Sequence, residues 1–345
     1  MPVMLDDVDA LAKVDGSGML RQMAALADQL ETSLSVEVDI ERGGEKLCIC
    51  GLGGSAMGAD VLCDHVLRSS RAMASVVRDV TLPGWVDRET LVMPISYSGN
   101  TRETIAMYEE ARRRGAFVVA ITSGGQLKRL SEKHGGPHII VPPGLQPRAA
   151  LGHLLGAAAS VVGAAGMSTI DTDLRALVPS IRDELSACAP QAHMAGNPAK
   201  QLATRLHDRV PFIYSSLTVR PAGRRWQTQI NENSKMLCLY GELPEADHNQ
   251  IVGWVDGARR PRCCPVFLTA GSDHGMTADI VRATISIFED FRLDPVVAHL
   301  PGGTALENIM RGIVLGDHVS YYLAILNAVD PTPVSSIGEL KKRLG

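Results

Sequence analysis

The chain has 345 residues, 45% of them apolar, which is enough for about two domains with buried cores. Its formal net charge is −4, and acidic and basic residues are interspersed, which argues against a nucleic-acid or membrane-surface protein. Aromatic residues make up only 4% of the chain, too few for base-stacking platforms. These quantities favour small molecules as binding partners.

The chain begins Met-Pro-Val-Met-Leu-Asp-Asp-Val-Asp, which is acidic and lacks the apolar core of a secretion signal. No run elsewhere approaches the roughly 18 residues of a membrane-spanning helix, so we expect a cytoplasmic protein. The cysteines have no C-x-x-C spacing, which favours buried reduced thiols over metal or redox roles. They are Cys48, Cys50, Cys63, Cys188, Cys238, Cys263 and Cys264.

The first elements are leading helices over residues 1–43, in which Leu20, Met23, Leu26 and Leu30 share one face. Short apolar runs then alternate with helical patterns in both halves of the chain. The predicted strands are 46–50, 74–77, 91–95, 116–122 and 138–141, then 211–214, 235–240, 266–269 and 296–300. Such alternation predicts an α/β protein with doubly wound parallel sheets and ligand loops at the strand carboxyl ends.

The predicted domains follow this alternation. We expect a first sheet domain over 44–166, a connection over 167–195, a second sheet domain over 196–330 and a C-terminal helix over 331–345. The order of strand, loop and helix recurs in both halves, but the sequence repeat is too weak to prove duplication.

A loop of small polar residues, Ser-Tyr-Ser-Gly-Asn-Thr, lies between the third strand and the next helix. Such a turn favours an anion, because the helix dipole and backbone N–H groups are positive there. Ser96, Ser98 and Thr101 add hydroxyl donors, and Asn100 with Glu103 matches a capping pair. The loop has no lysine, so it is not a Walker A loop. It predicts a phosphate cradle, and the alternative is an ordinary serine-rich turn.

A second glycine loop follows the first strand and reads Gly-Leu-Gly-Gly-Ser-Ala-Met-Gly from Gly51 to Gly58. It satisfies the dinucleotide fingerprint G-x-G-x-x-A, with Asp79 as the acid after the next strand. NAD(P) binding is therefore an alternative. The nearby phosphate-type loop is not part of the nicotinamide pattern and weighs against it.

Three further residues are candidates for chemistry. Arg148 follows Pro147 at the start of a helix, where its guanidinium can face the ligand edge or solvent. Glu232 at a helix end and His248 in a loop suit proton transfer. The alternatives are a solvated glutamate and a structural histidine.

Five motifs together resemble the bifunctional phosphoglucose/phosphomannose isomerases, a branch of the phosphoglucose isomerase superfamily with two sugar isomerase (SIS) domains. The resemblance spans nearly the whole chain. The motifs are the two loops above, Gln-Pro-Arg-Ala-Ala, Asn-Glu-Asn-Ser-Lys and Leu-Pro-Glu-Ala-Asp-His-Asn-Gln-Ile, in that order.

The resemblance implies reversible isomerisation of glucose 6-phosphate and mannose 6-phosphate with fructose 6-phosphate, without metal or nucleotide. Arg148 would stabilise a cis-enediolate and Glu232 would move the proton between C1 and C2. His248 would come from the neighbouring subunit of a homodimer and, with Lys341 or Lys342, open the sugar ring; we favour Lys341. The residues that would hold the phosphate are Gly53, Gly54, Ser55, Ser96, Ser98 and Thr101.

One motif departs from the family pattern. The chain has Glu-Ala-Asp-His where the family is closer to Glu-Met-Asn-His, which places Asp247 beside His248. Asp247 can raise the pKa of His248 or face solvent. SIS domains also serve as sensors, so a non-catalytic regulator that binds sugar phosphates is the second functional hypothesis.

Overall fold

The computed structural model describes residues 5–40, 44–257 and 262–344. The chain divides into two compact units. The first-sheet unit is Gln22–Pro179, and the second-sheet unit comprises the described parts of 1–21 and 180–345. Each unit carries a parallel sheet with helices, which confirms the predicted α/β class. The boundaries predicted for the individual domains stay a prediction.

The elements follow the predicted alternation. The strands are β1 (Lys46–Cys50), β2 (Met73–Val77), β3 (Thr90–Pro94), β4 (Phe117–Val118), β5 (Ala120–Thr122), β6 (His138–Ile140), β7 (Val210–Ser216), β8 (Leu239–Leu243), β9 (Cys263–Ala270) and β10 (Val296–Leu300). The α-helices are α1 (Val8–Val14), α2 (Met19–Ala24), α3 (Leu26–Leu34), α4 (Gly54–Ser69), α5 (Arg102–Arg113), α6 (Gly125–Lys133), α7 (Leu151–Ala164), α8 (Ile170–Cys188), α9 (Pro198–Leu206), α10 (Arg220–Ser234), α11 (Gln250–Val255), α12 (Gly275–Asp290), α13 (Ala305–Leu326) and α14 (Ser335–Leu344). Short 3-10 helices occur at Pro147–Ala149, Met194–Gly196, Leu217–Val219 and Glu245–His248.

In the first-sheet unit, β1 pairs in parallel with both β2 and β3, and β3 pairs with β4. The predicted strand at 116–122 is interrupted at Val119, so β4 and β5 are separate. A bridge between Ile95 and Ile121 joins β5 to the end of β3, and β5 pairs with β6. The sheet order is therefore β2, β1, β3, β4 with β5, then β6. The carboxyl ends of these strands lie at one edge because the strands are parallel.

In the second-sheet unit, the order is β10, β9, β7, β8, again all parallel. The strand predicted at 235–240 begins later than expected, at Leu239. The reason is that α10 continues to Ser234 and ends at Lys235 in the left-handed conformation, with φ 55° and ψ 32°. The side-chain amide group of Asn231 then bonds both the N–H and the carbonyl of Cys238, which fixes the turn into β8.

An aromatic cluster fills the core between β7, β9 and the helices beside them. Tyr214 stacks on Phe267 with ring centroids 5.3 Å apart, and Phe288 meets Phe267 edge to face at 5.1 Å. Trp254 of α11 donates its indole N–H to the Tyr214 hydroxyl at 2.7 Å. This contact fastens α11 to the sheet directly after the 3-10 helix that carries His248.

A line of buried polar contacts joins α10 to α13. The Arg225 guanidinium donates two hydrogen bonds to the Asp317 carboxylate, at 2.7 and 2.6 Å, and Gln229 donates a third at 3.0 Å. One turn further along, the Asn233 amide donates to the Ser320 hydroxyl at 2.9 Å. All five side chains are buried, so these bonds fix the register of the two helices.

The most apolar long helix is α13. Contrary to the expectation from the sequence, it has the length and hydropathy of a membrane span, but 89% of that apolar window is buried inside the protein. Its burial against α10 and α9 is typical of a central core helix. The cysteines follow the prediction, since all seven lie among the described residues as reduced thiols and only Cys263 is not fully buried.

Removal of the Asp317 charge is expected to lower the stability of the protein strongly. The Asp317→Asn substitution leaves the guanidinium of Arg225, which is only 1% exposed, without its counter-charge. Loss of one partner from a buried pair costs about 3–5 kcal/mol in the free energy of unfolding. Denaturant unfolding followed by circular dichroism measures this loss.

The matched control is Glu339→Gln, which breaks the exposed pair between Glu339 and Arg343 on α14. It should change the free energy of unfolding by less than about 1 kcal/mol. Equal losses in the free energy of unfolding would show that the buried pair stabilises the protein no more than the exposed pair does.

Candidate functional site

The glycine loop after β1 leads directly into α4. Gly53 has φ +54° and ψ −135°, a conformation that residues with a Cβ avoid. Ser55 lies in the first turn of α4 and is buried. Its hydroxyl oxygen accepts the backbone N–H of Tyr97 at 3.1 Å, which ties this loop to the loop after β3.

The loop after β3 folds back on itself through its hydroxyl groups. The buried Ser96 hydroxyl donates to the Thr101 hydroxyl at 3.0 Å, and the exposed Ser98 hydroxyl accepts the Asn100 N–H at 3.3 Å. Gly99 has φ +66°, and a Cβ there would collide with the Gly124 carbonyl oxygen. Only glycine allows this approach to the turn after β5.

The N-termini of α4 and α5 both lie at this edge of the sheet. Neither N-cap residue, Gly53 or Thr101, bonds a first-turn N–H through its side chain. The predicted capping pair of Asn100 and Glu103 is wrong, because the Asn100 side-chain oxygen accepts the Gln126 N–H at 3.0 Å instead. First-turn N–H groups that lack a side-chain cap are donors that suit a bound anion.

Arg148 lies on the 3-10 helix Pro147–Ala149, not on the following α-helix as predicted, and is only 3% exposed. Its backbone packs directly on the glycine loop, because a Cβ on Gly54 would lie 2.6 Å from the backbone nitrogen of Arg148. The need for glycine at position 54 thus comes from a contact within the protein. Gly54 is an x position of the G-x-G-x-x-A fingerprint, whose glycines are Gly51 and Gly53, so this contact leaves the dinucleotide alternative open.

Glutamines of the N-terminal helices hold the Arg148 turn from the other side. The Gln22 side-chain oxygen accepts the Gln146 N–H at 2.9 Å. The buried Gln29 amide donates to the Ala149 carbonyl at 2.9 Å and accepts the Gly152 N–H at 3.1 Å. The N-terminal helices therefore position this turn in addition to packing through their apolar face. No signal in the sequence pointed to Gln22 or Gln29.

At the corresponding edge of the second sheet, several loop side chains bond one another. The Ser216 hydroxyl donates to the Asp273 carboxylate at 2.9 Å. The Asn308 side chain accepts the Gly302 N–H at 2.7 Å and donates to the Ser272 hydroxyl at 2.8 Å. These particular donors are thus satisfied internally, whereas α10 and α12 begin without side-chain caps.

The N-terminus of α13 is capped in the same self-contained way. The Thr304 hydroxyl oxygen accepts the Glu307 N–H at 3.1 Å, and the Glu307 carboxylate accepts the Gly303 N–H at 2.9 Å. This reciprocal capping box leaves less room for an external anion than the uncapped starts of α4 and α5. The first-sheet unit is distinguished by the hydroxyl groups beside its uncapped helix starts, which belong to Ser55, Ser96, Ser98 and Thr101.

Glu232 lies in the last turn of α10 in the second-sheet unit and is half-buried. The next two residues, Asn233 and Ser234, bond α13. Lys235 ends the helix, and its ammonium group donates to the Glu232 carbonyl at 2.5 Å and to the Pro331 carbonyl at 3.0 Å. The helix turn that carries the carboxylate is therefore fixed on two sides.

His248 is exposed at the end of the 3-10 helix Glu245–His248. The adjacent Asp247 does not simply face solvent, because the Thr284 hydroxyl bonds its carboxylate at 3.0 and 3.1 Å. Partial burial raises the pKa of Asp247, although the Thr284 hydroxyl and the nearby His248 act to lower it. Lys341 belongs to α14, but its side chain lies outside the described residues.

Comparisons with known proteins agree with the geometry. The family model of the SIS domain matches residues 48–143, and that of the bacterial phospho-glucose isomerase C-terminal SIS domain matches residues 195–344. A bifunctional phosphoglucose/phosphomannose isomerase of Caldicellulosiruptor bescii is 36% identical over 332 residues, 92% of this chain and 94% of its own. A protein of the same description from Aquifex aeolicus is 34% identical over 86% of this chain and 90% of its own.

A more distant relative carries a different activity in its name. The D-glucosamine-6-phosphate 4-epimerase of Sulfolobus acidocaldarius is 30% identical over 74% of this chain and 78% of its own. Among solved structures, a glucose-6-phosphate isomerase like protein from Thermus thermophilus matches with a TM-score of 0.66 and 23% identity over 98% of both chains. That structural likeness supports the fold alone.

Replacement of Asp247 by asparagine is expected to stabilise the protein at neutral pH. When folding raises the pKa of a carboxyl group, the folded state is favoured at a pH below the unfolded pKa. This stabilisation of the folded state is lost as the pH rises through the folded pKa. In Asp247→Asn the neutral amide removes the cost of ionisation and keeps an acceptor for Thr284. The melting temperature should exceed that of the wild type at pH 7, and the difference should shrink towards pH 4.

The control is Asp183→Asn, at an exposed position of α8, which should show no such pH-dependent difference. A melting temperature for Asp247→Asn below that of the wild type at pH 7 would show that the ionised carboxylate is stabilising.

Proposed function

The chain belongs to the bifunctional phosphoglucose/phosphomannose isomerase family, which confirms the resemblance expected from its five motifs, and it is an isomerase. From this premise we propose that it interconverts glucose 6-phosphate and mannose 6-phosphate with fructose 6-phosphate through a cis-enediolate. The observation that carries the proposal is the anion-binding edge of the first sheet. There the buried turn of Arg148 packs on the uncapped start of α4, and Ser55 bonds the loop that leads into the uncapped start of α5.

The phosphate is assigned to this edge. Helix N-termini whose first N–H groups lack a side-chain cap suit a dianion, and the hydroxyl groups of Ser55, Ser96, Ser98 and Thr101 supply further donors. Gly53 leaves the backbone accessible, because no atom lies within 4 Å of the position of a Cβ there, and Gly54 admits the turn of Arg148 beside the phosphate loop. A 6-phosphate held in this way leaves C1 and C2 at the other end of the sugar for the reaction.

The proton transfer is assigned to Glu232. In the open-chain aldose, the carboxylate removes the proton from C2, and the negative charge develops on the carbonyl oxygen. Arg148 stabilises that charge. The carboxyl then returns the proton to C1 while the hydroxyl proton at O2 passes to O1, which gives the ketose. Glucose and mannose phosphates differ only at C2, which is planar in the enediolate, so one intermediate serves both aldoses.

Ring opening is assigned to His248 and Lys341. A proton must reach the ring oxygen as the hydroxyl at C1 loses one, and imidazole suits such transfer near neutral pH. His248 is exposed on its own chain, which supports its donation to the site of a neighbouring subunit in a homodimer. We further propose a cytoplasmic enzyme that needs no metal or nucleotide.

Incubation of the purified protein with fructose 6-phosphate should yield both aldose phosphates. The mechanism uses only side-chain groups, so EDTA should not reduce either rate. The assay follows glucose 6-phosphate and mannose 6-phosphate by chromatography. Binding of fructose 6-phosphate without turnover would favour the regulator, and a dependence on added zinc would remove the metal-free mechanism.

The Glu232→Gln substitution should reduce turnover of both aldoses by a factor of about 10²–10⁴, because an amide cannot accept the proton from carbon. Steady-state kinetics measures the loss. Glu289→Gln, which changes an exposed glutamate of α12, is the matched control and should retain full turnover. Near-native turnover in Glu232→Gln would refute the shuttle.

A mixture of Glu232→Gln and His248→Ala subunits tests the shared site. If His248 acts across the dimer, mixed dimers contain one intact site and one doubly altered site, which is about one intact site in four for random exchange. Activity should therefore reappear on mixing. A mixture that stays inactive after proven subunit exchange would place both residues in the site of one chain.

A further inference from the structure

Tyr97 lies between Ser96 and Ser98 in the loop after β3, one of the two loops assigned to the phosphate together with the loop after β1. Its side chain turns away from solvent and is only 5% exposed. Its backbone N–H donates to the Ser55 hydroxyl at 3.1 Å. Its carbonyl accepts the Ser123 N–H at 2.9 Å and the Ser123 hydroxyl at 2.6 Å. The backbone of this one residue thus joins the loops after β1, β3 and β5.

The phenol extends the same contacts to the loop after β6. The Tyr97 hydroxyl donates to the Pro142 carbonyl at 2.9 Å and accepts the Leu145 N–H at 2.9 Å. These two groups flank Gly144, whose φ of +95° makes the turn between them. The turn ends at Leu145, three residues before Arg148. The Tyr97 hydroxyl therefore fixes the segment that leads to this arginine.

The phenol can do this only in its neutral form, since it must donate one hydrogen bond and accept another. Burial raises the pKa of Tyr97, although the Leu145 N–H acts to lower it. The hydroxyl therefore keeps its proton through the neutral pH range. A role in proton transfer is not implied by this geometry.

We propose that Tyr97 is a positioning residue, whose hydroxyl holds the Pro142–Leu145 turn so that Arg148 is fixed relative to the anion-binding loops. The inference rests on the proposed function for the role of Arg148 in turnover. Since Ser55, Ser96 and Thr101 keep their own contacts when the phenol oxygen is removed, Tyr97 should affect turnover more than it affects phosphate binding.

The Tyr97→Phe substitution tests this assignment, because it removes the hydroxyl alone. Turnover of fructose 6-phosphate should fall about 10- to 100-fold, the scale expected for a small displacement of a charge-stabilising group. The ratio of wild-type to variant kcat should stay constant from pH 6 to 9. The dissociation constant for inorganic phosphate, measured by calorimetry, should change less than about threefold. Hydrogen exchange at the amides of residues 142–150 should become faster.

Tyr108→Phe is the matched control. Tyr108 belongs to the same unit and is also buried. Its hydroxyl contacts His134 at 3.3 Å, away from the loops, and the substitution removes this contact. Its kcat, its phosphate affinity and the exchange of 142–150 should match the wild type. A stability effect common to any buried tyrosine would appear in both variants.

Three results would overturn the inference. They are an unchanged kcat, a loss of phosphate affinity in parallel with kcat, and unchanged exchange over residues 142–150. If the wild-type protein does not isomerise sugar phosphates, the proposed function fails, and the exchange measurement alone decides whether Tyr97 holds the Arg148 turn.

Discussion

The contact between Gly54 and the backbone of Arg148 is the constraint on which the first-sheet unit depends. A single Cβ at position 54 would lie 2.6 Å from the Arg148 nitrogen, so the turn carrying the arginine sits directly on the first turn of α4. The side chains of Gln22 and Gln29 bond that turn, and the hydroxyl of Ser55 in α4 bonds the loop after β3. The turn of Arg148, the first turn of α4 and the loop that leads into α5 are held together as a result.

The second-sheet unit depends on a different interaction, the buried ion pair of Arg225 and Asp317. Because both charges are removed from water, each needs the other, and α10 cannot slide along α13 without separating them. Bonds from Asn233 and Ser234 continue the same contact to the last turn of α10. A carboxylate assigned to move a proton between neighbouring carbons gains from this rigidity, since small displacements of a catalytic group are costly.

The two sheets share an order of elements, and helices without side-chain caps begin at both carboxyl edges, but the loops at those edges differ. At the first sheet, α4 and α5 begin without side-chain caps, and glycine brings backbones close together. At the second, a capping box covers the start of α13, and Asn308 satisfies the loop donors itself. The first-sheet unit thus carries the hydroxyl-rich loops, and the second-sheet unit carries Glu232 and His248 on elements around its sheet.

Local sequence patterns determined the α/β class, the succession of strands along the chain and the position of the polar loop after β3, because apolar periodicity and turn composition report on neighbouring residues. They failed where a contact is distant. The end of α10 at Lys235 is bonded to Pro331, and the 3-10 turn of Arg148 is bonded by Gln22 and Gln29, all distant in the chain. Tertiary structure alone decided that Gly54 packs on residue 148, that Gln29 holds the same turn and that Asp317 neutralises Arg225. These partners are about a hundred positions apart, and only folding brings them within hydrogen-bonding distance.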